Sequence, residues 1–142
     1  MITKYFLIVL TFKIFHNFSH KKIEVKKEEL NIVIVGDIGK SEKKSSIKKN
    51  VVAQIRKRHN ATPYDLGIVL GDNIYEFGFA RDDFTKIKEM FADSFPNDTF
   101  KFDFLSLLGN HEYFGDTQTA MKYHEKEPRY YQPDRYYLYS IA

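Results

Sequence analysis

Three apolar runs along the chain each end at a glycine that is followed by a polar residue. The runs extend from Leu30 to Val35, from Leu66 to Leu70 and from Phe102 to Leu108. Apolar segments of this length, rich in β-branched or aromatic residues, predict strands, and the first of them reads as buried on both faces. The residues that follow the three glycines are aspartate, aspartate and asparagine. The pattern therefore places a polar group at the end of each predicted strand.

The segment between the first two runs carries apolar residues at helical spacing. A serine, Ser45 or Ser46, can cap the start of this helix, and Asn60 to Pro63 predicts its end. The positions predicted to form its apolar face are Ile47, Val51, Val52 and Ile55.

A second helix is predicted between the second and third runs. Asp82 or Asp83 can cap its start, and Pro96 marks its end. Its apolar positions are Phe84, Ile87, Met90, Phe91 and Phe95. The order strand, helix, strand, helix, strand indicates an α/β fold made of βαβ units with parallel strands. Near the end of the chain, Tyr136 to Ile141 predicts one further strand.

Parallel strands bring their carboxyl ends to one edge of the sheet, which is where α/β folds bind ligands. The polar residues predicted to meet there are Asp37, Asp72, Asn73, Asn110 and His111, with Tyr75 and Glu112 as further candidates. Two carboxylates packed side by side repel one another unless a cation lies between them. Carboxylate, amide and phenolate oxygens with an imidazole nearby suit iron, zinc, manganese or magnesium. The three glycines, Gly36, Gly71 and Gly109, would let the backbone turn sharply and pass close to a bound ion.

Each of these motifs has a simpler interpretation when it is taken alone. A Gly-Asp pair after a strand is commonly a turn in which the aspartate binds its own backbone. An Asn-His pair is commonly a turn with an imidazole at the surface, and a tyrosine three residues after an aspartate commonly packs in a core. Their joint occurrence, each at a strand end, favours a metal site over three unrelated turns.

Composition narrows the class of protein. The chain has 142 residues, a net charge of +3 and no cysteine, so disulfides and thiolate metal sites are excluded. The most basic stretch, Lys21 to Lys49, also contains four glutamates. It is interpreted as a solvated face and loop and not as a nucleic-acid surface, so no nucleic-acid partner is expected.

The N-terminus has the order of a secretory signal. Lys4 precedes an almost wholly apolar run from Tyr5 to Phe12, which is too short to span a bilayer. Residues 1–20 are therefore predicted to be a signal peptide, with no membrane span in the mature chain. An ordinary N-terminal strand or an uncleaved extension is the alternative. A signal would imply a secreted protein or one in an endomembrane or lysosome-like lumen; otherwise the protein is expected in the cytoplasm.

The motifs GDIG (36–39), GDNIY (71–75) and GNHE (109–112), in this order, resemble those of the calcineurin-like metallophosphoesterases. The tyrosine of GDNIY and the later PRYYQPDRYY (128–137) are similar to the purple acid phosphatase branch and its tartrate-resistant subgroup, although Tyr130 stands where that subgroup typically has tryptophan. The resemblance covers about residues 31–140. It implies the αββα sandwich of that family, with residues 30–142 as its N-terminal part.

The resemblance also implies a binuclear metal centre. Its metal ligands in this chain would be Asp37, Asp72, Tyr75 and Asn110. Asp37 and Tyr75 would bind a ferric ion, Asp72 would bridge both metals, and Asn110 would bind iron(II), zinc or manganese. The activity implied is hydrolysis of phosphate monoesters with an acidic pH optimum.

His111 would be the catalytic residue beside the phosphate and would not bind metal. Glu112 would orient His111 by accepting its ring proton. Two-metal phosphate hydrolysis of this kind uses the metals to activate water and to hold the phosphate oxygens.

The chain departs from the family pattern in its histidines. The family's second half supplies a histidine and a Gly-His-x-His motif, and the other histidines of this chain are His16, His20, His59 and His124. We therefore expect a fragment with a weak second metal site, in which His59 suits the end of a helix and His124 is exposed. A missing second sheet would leave an apolar face exposed and would favour self-association. The alternative is a truncated, non-catalytic product that binds one metal or a phosphate ligand.

Overall fold

A computed structural model describes residues 19–142. The signal predicted over residues 1–20 therefore lies outside the described residues, except for Ser19 and His20. The strands are β1 (Ser19–Ile23), β2 (Ile32–Val35), β3 (Leu66–Val69), β4 (Phe104–Ser106), β5 (Tyr130–Tyr131) and β6 (Tyr137–Ile141). The helices are α1 (Ser46–Ala61), α2 (Thr85–Ile87) and α3 (Thr117–Lys126), with a π-helical turn at Lys88–Ala92 and a 3₁₀ turn at His111–Phe114.

Four strands form a parallel sheet in the order β2-β3-β4-β5, and β1 pairs with β6, also in parallel, as a separate two-stranded sheet. The α/β fold with βαβ units is thus confirmed. The three predicted strands exist, although each is shorter than its apolar run. Strands β1 and β5 were not predicted, because β1 overlaps the start of the basic stretch and β5 has only two residues.

The helices pack on one face of the four-stranded sheet. In register across that face lie Val33, Gly67, Phe104 and Tyr130. A side chain at Gly67 would collide with the Phe104 ring, because a Cβ there would lie 2.2 Å from the ring. The same apolar cluster includes Val52 and Ile55 of α1, Ile87 of α2 and Tyr123 of α3, with several phenylalanines. Burial of this aromatic surface is the main stabilising contribution to the fold.

The opposite face of the sheet is only partly covered, which corrects the prediction that the first strand is buried on both faces. Ile34 in β2 is 58 % exposed. The β1–β6 pair covers the β4–β5 end, where the Tyr137 hydroxyl donates to the Ser106 carbonyl at 2.9 Å. The expected exposed apolar face is therefore present on the side of β2.

Helix α1 starts as predicted, because the Ser45 hydroxyl accepts the Lys48 N–H at 3.1 Å. Its predicted apolar face is only half right: Val52 and Ile55 are buried, whereas Ile47 is 77 % exposed and Val51 is also exposed. The sheet edge beside α1 ends at β2. The two outer positions of the helix therefore have no strand to pack against.

The second predicted helix is shorter than expected. Asp83 accepts the Thr85 N–H at 2.9 Å and so supports its start, but α2 has three residues before the π-helical turn begins. The helical stretch ends at Ala92, so Phe95 lies beyond it although it remains buried. Within residues 19–142, no helix is long and apolar enough to cross a membrane.

Candidate metal centre

The predicted site residues lie in the loops that leave the carboxyl ends of β2, β3 and β4. Backbone bonds continue the sheet into these loops. The Leu70 N–H donates to the Val35 carbonyl at 2.8 Å, and the Asp37 N–H donates to the Gly71 carbonyl at 3.2 Å. The loops that follow β2 and β3 are therefore held side by side, so that Asp37 and Asp72 lie at neighbouring backbone positions.

Asp37 and Asp72 both have left-handed backbone conformations, with φ of 56° and 54°. Only one other non-glycine residue among residues 19–142, Asp82, has a positive φ. A side chain in this region costs on the order of 1–3 kcal/mol, and such residues concentrate at functional sites. The fold thus holds Asp37 and Asp72 in unfavourable backbone conformations that direct both carboxylates towards the same point.

The Tyr75 hydroxyl lies where the two carboxylates meet. It donates a very short hydrogen bond to Asp37 Oδ1 and lies 3.4 Å from Asp72 Oδ2. Burial, and then the hydrogen bond to Asp37, raise the pKa of the Tyr75 phenol above its ordinary value. The phenol proton therefore occupies the place where a cation would neutralise all three oxygens.

His111 is fixed beside these oxygens by its backbone and its ring. Its N–H donates to Asp72 Oδ1 at 3.2 Å, and its ring packs edge-on against Tyr75 with centroids 4.5 Å apart. Ring atom Nδ1 lies 2.5 Å from the Glu76 carbonyl oxygen. Because a carbonyl can only accept, Nδ1 carries the proton and Nε2 is the nitrogen left for a ligand.

Glu112 does not orient His111, which corrects that expectation. Its carboxylate is fully buried and accepts backbone N–H groups of the β3 and β4 loops, including those of Asp72 and Gly109 at 3.0 and 2.7 Å. The Glu76 carbonyl performs the role that was assigned to Glu112. Sequence reasoning missed it because a backbone carbonyl leaves no signal in residue identity.

The two asparagines occupy different environments. Asn110 is exposed at the start of the 3₁₀ turn, directly before His111. Asn73 is buried, and its side-chain amide donates to the Leu107 carbonyl at 3.0 Å. Asn73 therefore ties the ends of β3 and β4 together, whereas Asn110 is available to a ligand.

The other histidines within residues 19–142 are not brought to this place. The His59 Nδ1 accepts the Tyr64 N–H at 3.0 Å, and its ring packs among aromatic residues. The His124 ring packs edge-on against Tyr131 at 5.0 Å and is partly buried, whereas an exposed position was expected. His20 bonds the Ser140 hydroxyl at 3.0 Å, and His16 lies outside the described residues. Within residues 19–142, no three His, Cys, Asp or Glu side chains cluster closely enough to hold a metal.

A cleft of about 450 Å³ opens beside Tyr75 and His111. Its other lining residues are Lys40, Glu76, Phe77 and Phe114. Phe77 is 76 % exposed, and Phe114 is also exposed, so the cleft beside the polar site has a solvent-accessible aromatic wall. Sequence reasoning missed both, although a phenylalanine two positions after each of GDNIY and GNHE was a signal that could have found them.

The donor set suits a hard cation. The Tyr75 hydroxyl already lies within hydrogen-bonding reach of both the Asp37 and the Asp72 carboxylates. Three converging oxygens fit iron, manganese, magnesium or zinc. For a second ion the described residues offer the shared Asp72 and the exposed Asn110.

Comparison with known proteins assigns the chain to a class. A family model described as calcineurin-like phosphoesterase matches residues 30–141. A search of curated proteins found no match. The matched segment begins just before β2 and ends at the last residue of β6, so it contains every residue of the candidate centre.

Proposed function

This chain belongs to the calcineurin-like phosphoesterase family, and on that premise we propose that it is a metal-dependent phosphomonoester hydrolase of the purple acid phosphatase type. Family membership indicates a metal-dependent phosphoester hydrolase in general. The finer assignment, with a ferric ion and a second ion of iron(II), zinc or manganese, is supported by Tyr75, because a phenolate ligand distinguishes that branch.

The observation that carries the proposal is the meeting of Tyr75 with Asp37 and Asp72. A tyrosine three residues after an aspartate would ordinarily pack in a core, but this hydroxyl contacts both carboxylates. Neither the Asp37 nor the Asp72 carboxylate has a lysine or arginine partner among the ion pairs of residues 19–142. A bound cation would supply the missing positive charge.

In this proposal Asp37 and Tyr75 would hold the first metal, Asn110 would hold the second, and Asp72 would be a ligand shared by both. When bound, such cations act as Lewis acids on the phosphate and activate water for attack. His111 stands beside the phosphate with Nε2 free, because Nδ1 is bound to the Glu76 carbonyl. In the neutral ring Nε2 therefore accepts, whereas in the imidazolium Nε2 also carries a proton and can donate it to a phosphate oxygen or to the leaving group.

The cleft beside the centre would receive the alcohol part of the phosphate ester. Its aromatic residues, Phe77 and Phe114, provide an apolar wall, and Lys40 provides one cationic group. The substrate itself stays open within the class of phosphate monoesters. The signal at residues 1–20, and with it a secreted or lumenal location, stays a prediction.

Metal content and colour test the proposal. The full chain is stripped with chelator, loaded with ferric ion and then with zinc or manganese, and assayed with an aryl phosphate. We expect a visible phenolate-to-iron band that Tyr75→Phe abolishes, because that substitution removes the phenolate oxygen. Tyr113→Phe is the matched control, since Tyr113 is exposed in the 3₁₀ turn two residues after His111. A band that persists in Tyr75→Phe would remove the ferric-phenolate assignment.

A second candidate function is binding of a single metal or a phosphate ligand without catalysis. It is favoured by the ligand count, because the second ion would have only Asp72 and Asn110 from the described residues, and zinc or iron sites want about four ligands including water. Close to two metals per chain with phosphatase activity supports the hydrolase. One metal per chain without activity supports the binding function.

A further inference from the structure

Glu112 is a buried carboxylate whose role is not explained by metal binding. Its side chain is 0 % exposed, and it takes part in none of the ion pairs found within residues 19–142. A buried carboxylate is costly unless hydrogen bonds replace the water that it loses. What those hydrogen bonds join therefore indicates what the residue does.

Four backbone N–H groups donate to this carboxylate. Oε1 accepts from Asn73 at 2.8 Å and Ile74 at 3.2 Å. Oε2 accepts from Asp72 at 3.0 Å and Gly109 at 2.7 Å. A carboxylate has about four acceptor positions, so this one is fully used. Three donors belong to the β3 loop and one to the β4 loop, and Oε2 binds both loops at once.

A second carboxylate joins the same two loops in the opposite direction. Asp72, in the β3 loop, accepts the His111 N–H of the β4 loop at 3.2 Å. The loops also touch through their glycines, since a Cβ at Gly71 would lie 2.5 Å from the Gly109 nitrogen. The two loops therefore behave as one unit, held by a carboxylate from each side.

We propose that Glu112 is a positioning residue of the metal centre, and that its carboxylate sets the separation between the Asp72 carboxylate and the Asn110 amide. This inference rests on the proposed function, because those two groups are the proposed ligands of the second metal. Glu112 itself touches neither metal nor substrate.

The role requires a carboxylate of this length. Glutamine has the same shape, but its NH₂ group cannot accept, so two of the four N–H donors would face another donor. Aspartate keeps the charge but is one methylene shorter, so it cannot reach both loops from the same backbone position. Glu112→Gln therefore tests the negative charge at unchanged side-chain length, and Glu112→Asp tests the side-chain length at unchanged charge.

The experiment measures the affinity of the metal-free full chain for Mn²⁺ in the native protein, in Glu112→Gln and in Glu112→Asp. Phe100→Leu is the control, because Phe100 is buried in the aromatic core and makes no contact with either loop in the hydrogen bonds above. Replacing residues that orient metal ligands typically weakens metal binding about 10- to 100-fold, and we expect a loss of that size in Glu112→Gln. Glu112→Asp should fall between it and the native protein, and Phe100→Leu should bind as the native protein does.

Amide hydrogen exchange in the metal-free proteins gives a readout that does not depend on metal. In Glu112→Gln the amides of Asp72, Asn73, Ile74 and Gly109 should exchange faster, while those of the β3 and β4 strands remain protected. A general loss of stability would instead raise exchange throughout, as expected for Phe100→Leu.

Three results would overturn the proposal. They are unchanged Mn²⁺ affinity in a folded Glu112→Gln, an equal loss of affinity in Phe100→Leu, and unchanged exchange of the four amides. If Glu112→Gln fails to fold, the same criteria apply to Glu112→Asp. If the native chain binds no Mn²⁺ at all, that result contradicts the proposed function and leaves the role of Glu112 to the second measurement. The exchange of the four amides then decides whether Glu112 joins the two loops.

Discussion

Gly109→Ala tests whether the β3 and β4 loops must touch, and Gly36→Ala is its matched control. Both glycines follow a strand and precede a polar residue of the site. A Cβ at Gly109 would lie 2.1 Å from Asp72 Oδ1 and 2.3 Å from the Asp72 nitrogen, whereas a Cβ at Gly36 would meet only Leu70, at an ordinary 3.5 Å. Neither glycine has a left-handed φ, so the comparison isolates crowding.

The size of the effect follows from what has to move. A Cβ at Gly109 must displace backbone of the β3 loop, and overpacking of this kind costs about 1–3 kcal/mol. The displacement also weakens the bond from the Gly109 N–H to Glu112, and a bond to a charged group contributes about 1.5–3 kcal/mol. Together they predict a loss of about 3 kcal/mol or more in the free energy of unfolding.

Thermal unfolding followed by circular dichroism is the assay. With an unfolding entropy of about 2.1 cal/mol/K per residue, each kcal/mol changes the Tm of a chain of this size by about 3 °C. Gly109→Ala should therefore lower the Tm by about 10 °C. Gly36→Ala should leave it unchanged or raise it slightly, because alanine lowers the entropy of the unfolded chain. Equal Tm values for the two variants would refute the reasoning that the two loops are in backbone contact.

Three further predictions concern the exposed face, a buried lysine and a buried ion pair. Ile34→Lys should keep the fold but reduce self-association in sedimentation experiments, because Ile34 is 58 % exposed on the uncovered sheet face. A native chain that stays monomeric at high concentration would contradict the prediction that this face associates. Burial lowers the pKa of Lys48 to about 8, so between that value and 10.5 the unfolded chain binds a proton that the folded chain lacks. Five tyrosines among residues 19–142 have raised pKa values in the folded chain and make stability fall as pH approaches and passes their ordinary value of 10, so the Lys48 contribution is measured as the native protein minus Lys48→Met. In denaturant unfolding this difference in the free energy of unfolding should rise with pH above the folded pKa of Lys48, about 8, and an equal pH dependence in the two proteins would contradict the reasoning. Arg129→Met should cost about 3–5 kcal/mol in the same assay, because it leaves the mostly buried Glu127 carboxylate unpaired and removes the donor to the Phe95 and Phe100 carbonyls. Lys88→Ala breaks an exposed pair and should cost under about 1 kcal/mol. Similar losses for both variants would show that burial of the Arg129 guanidinium and its partners is unimportant.

Local pattern predicted the elements better than their burial. The apolar runs predicted β2, β3 and β4 because they are short, rich in β-branched or aromatic residues and bounded by a glycine, which favours strands over buried helices. Ser45 predicted the start of α1 because capping acts within one turn. Burial was predicted less well. Ile47 and Ile34 are apolar but exposed, because whether a face is covered depends on neighbouring elements that no local pattern specifies.

The candidate site divides in the same way. The sequence by itself determined that Asp37, Asp72, Tyr75 and His111 would converge, because parallel strands must bring their carboxyl ends to one edge. Only the tertiary structure decided the partners of Glu112. Three of the four backbone N–H groups that donate to it lie 38 to 40 positions earlier in the chain. Every residue except proline carries such an N–H, so residue identity cannot reveal which ones a buried carboxylate will bind until the two loops lie side by side.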